Sequence, residues 1–333
     1  MIFHPLILSL NGASILISLM ILFSSYFSFQ ILRKWDLASG SELQLSLERK
    51  TYLISTLLAY LFGAQLLSLF LYVFTVDHLH VFFVGAMCAA GSLNVNGYGY
   101  PALVLKVGNF LLAGLWLILN YADNRGYDYP LVKKKYWLLL LISPFILMEA
   151  FLQINYFLRL KPDIITSCCG SLFSTEGTAI TSEIASLPSI PMKVAFYLAV
   201  GLTVTSGTRY SFKGKGEYLF AGLSIITFFV SVLSLVSFIS IYFYELPTHH
   251  CPFCILQKEY GYVGYPLYLT LLGGAIAGMG VGVLAPFREI KSLKEVLPSI
   301  QKKLALTSSI LFLIFSAIVT YRMIFTDFML EGY

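Results

Sequence analysis

The sequence predicts an all-α protein, a polytopic membrane helical bundle with about eight transmembrane helices. Of its 333 residues, 58% are hydrophobic and 12% are charged, whereas a soluble domain carries about 25% charged residues. The mean hydropathy is +0.79, and the apolar residues form long runs. Because lipid offers no hydrogen-bond partners to a backbone, these runs are expected to be helices. A large soluble enzyme domain is excluded.

Eight apolar segments are long enough to cross about 30 Å of hydrocarbon. They cover residues 5–32, 51–76, 101–121, 136–158, 191–208, 217–246, 262–286 and 304–325. The first six residues contain no basic group, so we do not expect a cleaved signal peptide.

The basic residues predict the orientation of the bundle. The loops after the first, third, fifth and seventh segments carry sixteen Lys and Arg, and the loops on the other side carry three. Lys and Arg are enriched in short cytoplasmic loops, so both termini are expected on the extracytoplasmic side. We expect a multi-pass protein of a bacterial inner (cytoplasmic) membrane. The net charge of +5 then reflects topology and does not indicate a nucleic-acid partner.

All the cysteines and histidines fall in extracytoplasmic segments or at their edges. They are Cys88, Cys168, Cys169, Cys251, Cys254, His4, His78, His80, His249 and His250. Disulfides form and persist in that compartment. The distribution predicts a redox or metal site on the outer face, with tolerated, inert cysteines as the alternative.

The strongest local motif is Cys251-Pro-Phe-Cys254, preceded by His249 and His250. At a helix N-terminus, unpaired N–H groups would lower the thiol pKa and favour cycling between dithiol and disulfide. The same spacing beside histidine is also typical of a copper or zinc site. A static disulfide is the third possibility, and the motif alone does not choose among them.

The Cys-x-x-Cys pair is expected at the outer start of an inward-running helix, and Gln257 and Lys258 follow it. This arrangement resembles that of the DsbB and vitamin K epoxide reductase families of membrane disulfide oxidoreductases. The resemblance covers about residues 136–325 and includes an outer loop with a cysteine pair. It implies that Cys251 and Cys254 pass electrons to a quinone near Gln257, Lys258 and Tyr260. It also implies a partner, an exported thioredoxin-like or other thiol protein.

The adjacent Cys168 and Cys169 lie in the outer loop 159–190. One of them can exchange with the Cys-x-x-Cys pair while the other meets an exported partner. Both can instead be soft metal ligands, in a site with His249, His250, Cys251 and Cys254. A static loop feature is the third interpretation.

Two similar segments suggest an internal repeat. Gly99-Tyr100-Pro101 and Gly264-Tyr265-Pro266 lie 165 positions apart, and each is expected to begin an inward helix. We therefore divide the chain into a first half, 1–158, and a second half, 159–333, with a possible four-plus-four repeat. Cys88 would be the remnant of a first-half site, and 81–93 is expected to include a short helix.

Two charged residues lie deep within predicted spans. Glu149 is expected about one turn deeper than Lys106, and charges at such depth are costly unless they pair. We expect an ion pair, with a proton relay as its possible function. Snorkelling of Lys106 and a protonated Glu149 are the structural alternatives.

These observations give two functional hypotheses and a simpler third. The first is a membrane-embedded thiol–disulfide oxidoreductase that exchanges electrons between exported protein thiols and a membrane quinone. The second is an extracytoplasmic copper- or zinc-binding membrane protein of a metal-handling or cofactor-assembly pathway. The third is a structural subunit of a membrane complex.

Overall fold

The computed structural model describes residues 3–36, 39, 41–162, 164–166, 187–326 and 328. These residues are mostly α-helical and contain no β-strand, although Val84 and Ile165 form one isolated parallel bridge. Eight of the described helices are long and apolar enough to span a membrane. The expected all-α polytopic bundle is confirmed, and its surroundings are a lipid bilayer.

The helices follow the predicted order. They are α1 (Pro5–Lys34), α2 (Glu42–His78), the short α3 (Ala89–Leu93), α4 (Gly99–Asp123), α5 (Val132–Leu158), α6 (Ser189–Lys213), α7 (Glu217–Tyr244), α8 (Gly264–Leu284) and α9 (Val296–Ile324). Within α7, residues Leu235–Ile239 form a π-helical turn.

Most of the spanning helices extend beyond the hydropathy segments, although α7 and α8 do not. Helix α2 begins at Glu42, nine residues before the expected start at Thr51, so Arg49 and Lys50 are helical and not in a loop. Helix α9 likewise begins at Val296. Hydropathy marks the hydrocarbon layer alone, whereas backbone hydrogen bonds continue into the polar interface.

The Gly-Tyr-Pro segments begin helices, as expected. Helix α4 starts at Gly99 and α8 at Gly264. Pro101 and Pro266 are therefore in the first turn, where an N–H group would have no helical partner. The expected short helix before α4 is also present, and all five residues of α3 are buried.

The chain forms two compact units. The first comprises 1–75, 96–162 and 286–300, and in it α5 packs against α1 and α4. Trp116 and Tyr136 are among its largest buried side chains.

The second unit comprises 76–95, 163–285 and 301–333, and in it α7 packs against α6 and α8. Close approach in this unit depends on glycine. A Cβ atom at Gly278 would collide with the hydroxyl of Ser224.

Candidate functional site

Three cysteines converge in the second unit. The Sγ atoms of Cys88, Cys251 and Cys254 all lie within 4.8 Å of one another, and those of Cys88 and Cys251 are 3.6 Å apart. Cys88 and Cys251 are fully buried, and Cys254 is 4% exposed. We call this group the thiol cluster. The sequence analysis identified the pair Cys251–Cys254 and did not connect Cys88 to it.

Gln257 and Asp77 bring Cys88 to the Cys-x-x-Cys loop. The Gln257 side-chain amide donates to the Met87 carbonyl at 2.8 Å and to the Asp77 carboxylate at 3.2 Å. The same Asp77 oxygen accepts the backbone N–H of Ala89 at 3.0 Å. Residues on both sides of Cys88 are therefore fixed relative to the loop. Gln257, expected beside a quinone, makes these positioning contacts.

Two tyrosines hold the backbone of the Cys-x-x-Cys loop. The Tyr244 hydroxyl donates to the Cys251 carbonyl at 2.5 Å and accepts the N–H of Ile255 at 2.9 Å. The Tyr268 hydroxyl donates to the Pro252 carbonyl. The two ends of the loop are thereby tied to α7 and α8, which are rigid elements.

The two histidines have different surroundings. His249 Nε2 lies 3.4 Å from Cys254 Sγ, and its ring contacts Tyr244 edge to face at 4.4 Å between centroids. His250 is 5% exposed, and its Nδ1 donates to the Val236 carbonyl in the π-helical turn at 2.9 Å. His249 therefore adjoins the thiol cluster, whereas His250 links the loop to α7.

Thr166, which follows α5 in the sequence, holds the segment around Cys88 in place. Thr166 donates its N–H to the Val84 carbonyl at 2.9 Å and its hydroxyl to the Gly91 carbonyl at 3.0 Å. Gly85 has a φ of 84°, and a Cβ atom there would collide with the Thr166 carbonyl. This position therefore requires glycine. The neighbouring Cys168 and Cys169 lie outside the described residues.

The expected lowering of the thiol pKa is wrong for Cys251. Helix α8 begins at Gly264, and Cys254 begins a 3₁₀ helix of three residues, Cys254–Leu256. The expected long helix therefore does not begin at the Cys-x-x-Cys pair. Burial raises the pKa of Cys251 well above its usual value, a hydrogen bond with Cys254 adds to this, and the contact with Cys88 opposes it.

We expect Cys251 to react slowly with an alkylating reagent at neutral pH and faster only above the usual thiol pKa, because the thiolate is the nucleophile. The raised pKa also favours the neutral thiol in the folded state, so this contribution to stability is lost as pH rises towards the folded-state pKa. Mass spectrometry of Cys251 labelling against pH would measure the effect. The urea-unfolded chain is the control, and equal rates in both states would contradict the expectation.

The other residues suggested for quinone binding lie beside the thiol cluster or at the surface. Lys258 is exposed. The Tyr260 ring packs against Tyr244 at 4.9 Å between centroids. Tyr260 also lines a cavity of about 310 Å³, together with Phe243, Glu259, Val263, Ile318, Tyr321 and Arg322.

The expected ion pair is present within the first unit. Lys106 Nζ lies 2.6 Å from Glu149 Oε1, and these residues are 1% and 2% exposed. Gln65 and Asn109 donate to the other carboxylate oxygen at 2.6 and 2.5 Å, and Lys106 also donates to Ser68 at 3.3 Å. Both carboxylate oxygens are therefore hydrogen-bonded. A proton-relay role for the pair stays a prediction.

Comparisons of this chain with protein-family models, with curated proteins and with solved structures found no significant match.

Proposed function

We propose that this chain is a soft-metal-binding membrane protein and that Cys88, Cys251 and Cys254 hold the metal ion. The convergence of three buried thiols carries this proposal. Thiolates are soft ligands that select Cu(I) or Zn²⁺. A single disulfide uses two cysteines, whereas Cys88, 163 positions before Cys251, supplies a third sulfur that can serve as a metal ligand.

The spacing of the sulfurs supports a common metal ion. With metal–sulfur bonds of about 2.3 Å, tetrahedral coordination separates two sulfurs by about 3.8 Å and trigonal coordination by about 4.0 Å. The 3.6 Å between Cys88 and Cys251 is close to both values, and the whole group lies within 4.8 Å. Small side-chain rotations therefore suffice to close three bonds.

The burial of the three thiols also favours metal binding over disulfide exchange. A thiol with a raised pKa is a poor nucleophile, and an enclosed cluster is hard for the disulfide of another protein to reach. A metal ion stabilises the thiolate directly and displaces the proton as it binds.

Among the candidate ions, the cluster suits Cu(I) best. The group of atoms within 4.8 Å of one another contains the three sulfurs and not His249. Three-coordinate Cu(I) needs only the sulfurs, whereas tetrahedral Zn²⁺ needs a fourth ligand. His249 Nε2, 3.4 Å from Cys254 Sγ, is the nearest imidazole nitrogen described for that role and would have to approach Cys88 and Cys251.

The proposed location is the extracytoplasmic side of a bacterial inner membrane. If the eight spanning helices cross in alternation, the loop between α2 and α4 and the loop between α7 and α8 share one side, and the Lys- and Arg-rich loops share the other. The positive-inside bias assigns the basic end to the cytoplasm. This side suits a role in metal handling or in the assembly of a metal cofactor.

Metal and thiol content of one sample would test the proposal. Protein purified without chelators under reducing conditions should carry about one equivalent of copper or zinc, and its three clustered thiols should be alkylated more slowly than those of the chelator-treated protein at the same pH. Equal alkylation rates with and without the chelator, together with no binding when Cu(I) or Zn²⁺ is titrated in, would refute the proposal.

A thiol–disulfide oxidoreductase is the second candidate, because Cys251 contacts both other thiols. A disulfide between Cys251 and Cys254 can be attacked by Cys88, which leaves Cys254 as the released thiol. Oxidation of two thiols releases two electrons and two protons, which convert a quinone to a quinol. The cavity beside Tyr260 is the proposed quinone site, and an exported thiol protein would be the electron donor.

Quinone-dependent disulfide formation would support this second candidate. The reduced, metal-free protein should gain a disulfide within the thiol cluster when quinone is added, as mapped by mass spectrometry. Tyr260→Ala and Tyr321→Ala, both at this cavity, should slow this step, whereas Tyr60→Ala, at a residue that is 77% exposed in the first unit, is the control. No disulfide after quinone addition would exclude the oxidoreductase.

A further inference from the structure

Helix α7 carries a face of hydroxyl groups along most of its length. Its members recur every three or four residues and are at most 1% exposed: Ser224, Thr227, Ser231, Ser234, Ser237 and Ser240. At 1.5 Å per residue, Ser231 lies about 21 Å from the first residue of α7 and thus near the middle of the bilayer. We call this set the hydroxyl face.

The part of the hydroxyl face nearest the basic end is fully bonded. Ser224 donates to the Phe220 carbonyl at 2.8 Å. Thr227 lies 2.7 Å from the Thr203 hydroxyl and donates to the Ala199 carbonyl at 3.0 Å. These contacts are typical of close helix packing in membranes, so this part needs no ligand.

The central part of the hydroxyl face is different. Ser231 and Ser234 are fully buried, and among the described residues no group accepts from or donates to either hydroxyl. Some other buried serines bond to their own helix, as Ser28 does to the Ser24 carbonyl at 2.6 Å. A buried hydroxyl without a partner costs about 1–3 kcal/mol, and two occur one turn apart.

The π-helical turn begins directly after these two serines. Within it, Ser240 donates its hydroxyl to the Leu235 carbonyl at 2.7 Å, five residues back. The Val236 carbonyl, also in this turn, accepts a hydrogen bond from His250. Such turns are frequent at functional sites because they widen the helix and free backbone groups.

We infer that Ser231 and Ser234 bind internal water in the membrane core of this unit. A water molecule donates and accepts at once, so it satisfies both hydroxyls and needs only the two to four polar partners of a typical buried site. The water would join the bonded hydroxyls of Ser224 and Thr227, through Ser231 and Ser234, to the π-helical turn and His250. A file of hydroxyls and water can relay protons without an ionised side chain. This inference is independent of the metal proposal.

Hydroxyl-radical footprinting by water radiolysis tests the inference on the unaltered protein in lipid nanodiscs. Radicals formed from bound water oxidise adjacent side chains even where bulk solvent is excluded. Phe228, about one turn before Ser231, and Leu235, directly after Ser234, are 7% and 3% exposed and should be oxidised. Phe62, buried in the apolar core of the first unit, is the control and should stay unmodified.

The double variant Ser231→Ala/Ser234→Ala should lose the oxidation at Phe228 and Leu235 while labelling of exposed residues stays unchanged. The matched control is Ser28→Ala, which removes a buried but bonded hydroxyl and should leave the pattern intact. If Phe228 and Leu235 resist oxidation as Phe62 does, or if the double variant labels as the unaltered protein does, the inference is wrong. The footprint of the unaltered protein decides the matter even if the variant fails to fold.

Discussion

Cys88→Ser should remove most of the affinity of the thiol cluster for Cu(I). The variant keeps the Cys-x-x-Cys loop intact but leaves two sulfurs where the structure brings three together. Even the loss of an outer-shell partner typically costs 10–100-fold in metal affinity, and we expect loss of a ligand to cost at least about 100-fold. Competition with a chromophoric Cu(I) chelator would measure the change.

Controls distinguish the thiol cluster from the wider ligand set suggested by the sequence. Cys168→Ser and Cys169→Ser should leave the affinity unchanged if the cluster alone binds the ion, and should weaken it if those residues are ligands. Circular dichroism would show that each variant keeps its helices. Full affinity in Cys88→Ser would contradict the proposed site.

Lys106→Met should strongly destabilise the protein, because it leaves the Glu149 carboxylate buried without a counter-ion. Removing one partner of a buried ion pair typically costs about 3–5 kcal/mol, whereas replacing both partners is far less costly. The double variant Lys106→Met/Glu149→Gln should therefore be more stable than the single variant. Unfolding of the detergent-solubilised protein, followed by tryptophan fluorescence, would rank them.

The exposed pair Arg322–Glu245 is the comparison for this experiment. Its charged groups are 3.0 Å apart, and its side chains are 35% and 48% exposed. Pairs of this kind contribute about 0–1 kcal/mol, so Glu245→Gln should have a small effect. Equal losses in Lys106→Met and Glu245→Gln would show that burial of the Lys106–Glu149 pair contributes little.

The sequence was sufficient for the order of the spanning helices, because hydropathy reports directly on burial in lipid. It also predicted the Lys106–Glu149 pair, since depth can be counted from each helix end. The predicted positions of the helix ends were less accurate. Helix α2 includes Arg49 and Lys50 because long basic side chains cover apolar surface while their charges reach water.

The thiol cluster could not be assembled from sequence spacing. Cys88 comes to Cys251 through the contacts of Gln257 with Asp77 and Met87, and side-chain contacts of this kind leave no periodic pattern. The one available signal was that Cys88 falls at the same end of the bundle as the Cys-x-x-Cys motif. The predicted lowering of the Cys251 pKa was wrong for a related reason. Burial outweighs the local motif, and burial is a tertiary property.

The separation of Cys88 from Cys251 has a consequence for biosynthesis. At about 5–20 residues per second, the ribosome needs roughly 8–33 s to make the chain between them. During that interval Cys88 has left the ribosome without either cysteine that later encloses it. On the proposed extracytoplasmic side, it would meet oxidants as a solitary thiol. Insertion of the loop between α7 and α8 is then the step that protects it, so slow translation of the second half should increase oxidation of nascent Cys88.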